Sequence, residues 1–79
     1  MFYTYVLKEI DKEHFYVGSA NNLKRRFFQH QEGESKFTQG RKWRVYCYFA
    51  FQHEEMARKF EKYLKSGSGR AFSKKHFSF

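Results

Sequence analysis

Proline is absent from this chain, cysteine occurs once, and the acidic residues number half the basic ones, 8 Asp and Glu against 16 Lys and Arg. Without proline, glycine is the only strong breaker of regular structure. The lone Cys47, inside the apolar run VYCYFAF, excludes an internal disulfide and a CxxC metal site and reads as a small packing thiol. No stretch approaches the length of a membrane span, and the opening MFYTYVLKEIDKE lacks the basic and long apolar regions of a signal peptide. The expectation is a cytoplasmic protein with no membrane partner. HxxxH, HExxH and paired-carboxylate spacings are missing too, which leaves zinc and two-metal mechanisms without their usual ligands. Repeats, low-complexity tracts and linkers are not found, so residues 1–79 are expected to form one domain.

What the chain does have is charge and rings. Its formal charge is +8 and 23% of its residues are aromatic, with few Leu, Ile and Val. Bulky rings must therefore fill much of a small core, and the surplus alternates with basic residues as it does on surfaces that bind a polyanion. Nucleic acid is the partner this composition favours.

FYTYVL, Phe2 to Leu7, and HFYVG, His14 to Gly18, are aromatic and β-branched and read as a hairpin around KEIDKE. If the loop is even, Tyr3, Tyr5 and Leu7 share a face with Tyr16, because side chains alternate along each strand. Asn21 or Asn22 caps a helix that runs to about Gln31, with Leu23 and Phe27 as its buried stripe and Arg26 and His30 as a strip beside it. EGESKFTQG reads as a loop. RKWRVYCYFAF, Arg41 to Phe51, is expected as the central strand, and HEEMARKFEKYLK, His53 to Lys65, as a helix with Met56, Phe60, Tyr63 and Leu64 inward. Gly67 is expected to stop that helix, and RAFSKKHFSF to form a short helix anchored by Phe72. The fold class is α/β in the broad sense, α+β, with a small three-stranded antiparallel sheet flanked by helices.

Among the acids, Glu9, Asp11, Glu13, Glu32 and Glu34 fall in expected loops, and Glu54 and Glu55 open the second helix. Glu61 differs: Ala57 lies four residues before it and Leu64 three after, so it borders the apolar stripe. One such carboxylate is enough for Mg²⁺, which keeps most of its waters and takes its remaining ligands from substrate phosphate.

With these residues in place the chain resembles the GIY-YIG nucleases. Tyr3-Thr4-Tyr5 and Tyr16-Val17-Gly18 look like the two namesake tripeptides, and VGSANNLKRR is similar to the segment that follows them. The resemblance implies a catalytic arginine at Arg26, an accompanying histidine at His30, and a metal-binding glutamate at Glu61 within ARKFEKYLKSGSGRAFSKKH. It implies catalytic roles for Tyr5 and Tyr16 and permits either as the base. Two departures are visible: the first tripeptide lacks its leading Gly-Ile, and no asparagine follows Asn22, so Lys75 or His76 stands where some members use one.

The expected activity is a divalent-metal-dependent endonuclease, using Mg²⁺ or Mn²⁺ on Glu61 and acting on DNA, structure-selective or repair-related, as a monomer or transient dimer. The base's tyrosine needs a nearby arginine and metal to favour its ionised form. Lys24, Arg25, Lys36, Arg41, Lys42, Arg44, Arg70, Lys74 and Lys75 are expected to supply phosphate contacts. The alternative is a catalytically silent nucleic-acid-binding module with the same fold.

Overall fold

The computed structural model describes residues 1–32 and 41–79, so Lys36, one of the expected phosphate contacts, lies outside the described residues. Six elements follow in order: β1 (Phe2–Glu9), β2 (Phe15–Ala20), α1 (Leu23–Gln31), β3 (Trp43–Phe51), α2 (Glu54–Leu64) and α3 (Gly67–Phe77). The strands form one antiparallel sheet, and with the three helices they make the expected α+β fold. No helix among the described residues is long and apolar enough to cross a membrane.

The strand order is β2-β1-β3, so the central strand is β1 and not, as its aromatic run suggests, β3. The physical reason lies in Thr4, Tyr5, Val6 and Leu7. Paired on both sides and covered on both faces, they are at most 1% exposed, whereas β3 leaves Tyr48 largely open to solvent. A bulge opposite Val6 and Leu7 inserts Tyr46 as an extra residue in β3. Its hydroxyl donates to the Phe77 carbonyl at 2.7 Å and so ties the strand to α3.

Hairpin register pairs Tyr5 with Gly18 and Leu7 with Tyr16, which puts Tyr3, Tyr5, Leu7 and Tyr16 on one face, as alternation requires. Both strands extend beyond the segments read from the sequence. Glu9 is the last residue of β1 instead of a loop residue, and its buried carboxylate meets Lys12, His14 and Arg41. Asp11, at φ 65°, makes the tight turn in the left-handed region, which a short polar side chain tolerates.

Helix α1 covers the Tyr5 face: Leu23 and Phe27 pack on the cluster of Tyr5, Leu7 and Trp43. Asn22 caps it by accepting the Arg25 N–H at 3.0 Å. Helix α2 covers the other face, where buried Thr4 donates from Oγ1 to the Ala57 carbonyl at 2.6 Å. Its inward line is Ala57, Glu61 and Leu64, with Phe60 packed on Phe49 and Phe51. Met56 and Tyr63, expected inward, are exposed, because Thr4 and the Phe49–Phe60 contact draw the neighbouring residues of the helix against the sheet.

The SGSG segment is a helix junction, not a stop followed by a loop. Ser66 caps α3 by accepting the Gly69 N–H at 3.1 Å, and Gly67 is the first residue of that helix. Gly69 is required for space: a Cβ there would collide with the Tyr63 carbonyl at the end of α2.

Candidate active site

The site grows from the hairpin and the helix after it. Gly18 stands on β2 opposite Tyr5, and its missing side chain is the space Tyr5 uses, since a Cβ there would come within 2.5 Å of the phenol oxygen and 3.2 Å of the Tyr16 ring. Tyr5 Oη lies 2.8 Å from His30 Nε2 and accepts the Arg26 Nε–H at 3.4 Å. Arg26 and His30 reach the same phenol because residues four apart share a helix face. The Tyr16 ring stands 6.4 Å from that of Tyr5 and 4.9 Å from the His30 imidazole. Arg26 is steadied by a second bond, from Nη1 to Gln29 Oε1 at 3.2 Å.

Burial sets the proton states. It pushes the Tyr5 phenol up to about 12, with the Arg26 bond pulling the other way and the charges of Tyr16 and Glu61 adding to the rise. Burial also pulls His30 down to about 4, helped by the positive charge of Arg26. The Tyr5 hydrogen bond holds Arg26 more firmly cationic despite the cost of burial. At neutral pH the centre is therefore a protonated phenol, a neutral imidazole and a guanidinium. Because an arginine N–H only donates, Tyr5 accepts from Arg26 and is left to donate its own hydrogen to Nε2 in the tautomer carrying its proton on Nδ1. At Tyr5 desolvation outweighs the lowering by Arg26. His30, expected on a strip beside the buried stripe of α1, is itself wholly buried behind Tyr5.

Glu61 arrives from the other side of the sheet. From α2 its side chain reaches the free edge of β2, where Ser19 Oγ donates to Oε1 at 2.7 Å and Lys65 Nζ to Oε2 at 2.6 Å. Its charge is felt at Tyr5, so the carboxylate and phenols straddle the edge strand instead of lining one face of the sheet. Ser19 and Lys65 were not foreseen as members of the site. Lys65 could have been found as the i+4 partner of Glu61. Ser19 could not, since its contact spans 42 residues and leaves no local trace.

No group of three or more metal-ligating side chains is found among the described residues. The donor set is one partly exposed carboxylate, 23% accessible at Glu61. That fits an ion such as Mg²⁺ or Mn²⁺ that completes its shell with water and phosphate, and does not fit zinc.

The expected phosphate contacts separate into groups. Lys24 and Arg25 are exposed on α1, and Lys24 borders a groove with Tyr3 and Tyr48. Lys42 is exposed before β3, while Arg41 donates to His14 Nδ1 at 2.7 Å and lies 3.4 Å from Glu9 Oε1. Arg44 lies over the Tyr46 ring. Arg70, Lys74 and Lys75 are exposed on α3, and the first two line a cleft that Tyr16 also borders.

Comparison with curated proteins and with solved structures returns no match. The model of the GIY-YIG catalytic domain matches residues 1–76. Two tyrosines from a hairpin, an arginine from the following helix and a glutamate from a later one thus occur on a chain matched almost from end to end, and this chain belongs to the GIY-YIG family.

Proposed function

We propose that this chain, in a family whose domains are usually endonucleases acting on DNA with divalent metals, is a Mg²⁺- or Mn²⁺-dependent endonuclease. Its reaction is hydrolysis of a DNA phosphodiester, with branched or nicked DNA of the kind met in repair as substrate. The observation that carries this reading is the phenol of Tyr5, bonded at once to Arg26 and His30 and facing Tyr16 across Gly18. So many polar groups converging on one buried phenol are costly to assemble for packing alone.

The residues divide the work. Arg26, cationic and partly open to solvent, pairs with the non-bridging phosphate oxygens as charge builds on them. Tyr16, half-buried on the edge strand, is the phenol that meets the attacking water. Accepting the water's proton requires its phenolate, whose charge Arg26 balances. Tyr5 is buried and firmly protonated, so it positions Arg26 by accepting its Nε–H and is itself held by neutral His30. A metal bound at Glu61 supplies Lewis-acid stabilisation of the phosphate and of the departing 3′-oxygen. Ser19 orients the carboxylate that would hold it.

The second reading, a DNA-binding module without turnover, is favoured by one observation: both Glu61 oxygens already have partners, and Lys65 must yield Oε2 before a metal can take it. Incubating wild-type protein with supercoiled plasmid and Mg²⁺, with and without chelator, separates the two. Nicking that the chelator abolishes supports the nuclease. Retained plasmid binding with no nicking in either metal supports the module.

A further inference from the structure

We propose that the cleft between the free edge of β2 and helix α3 is a second binding site, seating one unpaired nucleotide beside the scissile phosphate. DNA with a single-stranded extension at the cut would then be preferred over continuous duplex. The inference rests on the nuclease reading only for the position of that phosphate.

The cleft holds about 690 Å³, a volume in the range of pockets that take a small ligand, and Tyr16 forms part of its wall. The sheet edge contributes Phe15 and Val17, and Phe79 closes the apolar side, its ring 5.4 Å from that of Phe15. Helix α3 contributes Arg70, Ser73 and Lys74, at i, i+3 and i+4 on one of its faces. Cations and aromatic rings lining one cleft are what a nucleotide needs: the cations for its phosphate, the rings for its base.

Two details favour a ligand over a merely basic surface. Arg70 and Lys74 make no ion pair with any described residue, whereas Lys65, the third cation of the cleft, is held by Glu61. Glu13 is the single acid in the lining among the described residues, so the balance of charge there is positive. Ser73, on the same helix face, is 2% exposed and its hydroxyl is sealed from the cleft, so the two cations are the groups of α3 that a ligand there can reach.

Lys65 joins this cleft to the proposed site, because it lines the cleft and also holds the carboxylate at the edge of β2. A phosphate seated on Arg70 and Lys74 would draw Lys65 toward itself and release Oε2 of Glu61. Occupation of the cleft would thereby ready the carboxylate for metal.

The test is binding by the whole protein in chelator, so that cleavage plays no part. A labelled blunt duplex is compared with the same duplex carrying a short single-stranded extension, for wild type, Ser73→Ala and the Arg70→Gln/Lys74→Gln double variant. Wild type should bind the extended DNA about tenfold tighter, the scale of one stacked base with its phosphate. The double variant should lose most of that preference and lower the salt slope on the extended DNA by about 0.7 for each single-strand phosphate released, a larger loss than the one it shows on the blunt duplex. Ser73→Ala is the control: its hydroxyl is sealed from the cleft, so the preference should stay at the wild-type value. No preference in wild type, or a preference untouched by the double change, overturns the inference. Plasmid nicking without any such preference leaves the nuclease and removes the cleft, and the preference without nicking does the reverse.

Discussion

Tyr5 and Gly18 face each other across the hairpin with no room for a methyl group between them: a Cβ on Gly18 would stand 2.5 Å from the Tyr5 oxygen and 2.7 Å from its ring carbon Cζ. The phenol is thereby set down on bare backbone at the point where Arg26 and His30 converge. The glycine of the second tripeptide is thus a requirement for space and not for an unusual backbone angle.

Gly18→Ala should therefore act on the site as much as on the fold. Forcing Tyr5 aside costs about 1–3 kcal/mol as an overpacked core does, and breaks its bonds to His30 and Arg26. The denaturant midpoint should fall without loss of two-state unfolding, and nicking should fall with it. An alanine variant as stable and active as wild type would show that Tyr5 need not lie where it does.

His30 gives the fold an acid limit. Its folded pKa of about 4 lies below its ordinary 6.5, so the unfolded chain binds the proton more readily between those values. The stabilisation is fully present above pH 6.5 and is lost as pH falls through 4. It amounts to about 3 kcal/mol, at about 1.4 kcal/mol for each pH unit between the two values. His30→Gln should flatten stability over that window. Thermal unfolding of both proteins between pH 4 and 7 checks it, and parallel curves would contradict the assignment.

The two phenols should not respond alike. Tyr16→Phe removes the hydroxyl that meets water and should lower cleavage about 10²–10⁴-fold, the scale of a lost general base. Tyr5→Phe leaves Arg26 unpositioned and His30 without its buried partner, so it should also cost about 1–3 kcal/mol of stability. Arg26→Lys keeps the charge but loses the fork that can hold phosphate and phenol together, and should rescue little. Single-turnover rates set beside denaturation midpoints distinguish these cases. Equal loss of rate and stability in both phenylalanine variants would deny them separate roles.

Much of this arrangement is written locally in the chain. Alternation alone put Tyr5 and Tyr16 on one face, and the spacing of Arg26 and His30 placed them on one strip of α1. The extension of β1 to Glu9 was hidden because a lysine and a glutamate read as loop, while the structure buries that glutamate among three basic groups. The start of α3 was hidden for a similar reason. Serine and glycine usually mark a turn, yet Ser66 is a cap and Gly69 a close-packing position. Strand order, the burial of His30 and the reach of Glu61 to Ser19 depend on contacts between distant segments, which no local pattern records.

The central claim is that one carboxylate at the edge of β2 serves the reaction assembled around two phenols and a guanidinium. The most direct test is the single-turnover cleavage rate of Glu61→Gln in Mg²⁺, on DNA that wild type cuts, with DNA affinity measured alongside. Loss of about a thousandfold or more in rate at unchanged affinity is the expected result, the scale seen when one transition-state charge partner is removed. Cleavage by the glutamine variant at the wild-type rate would contradict the account.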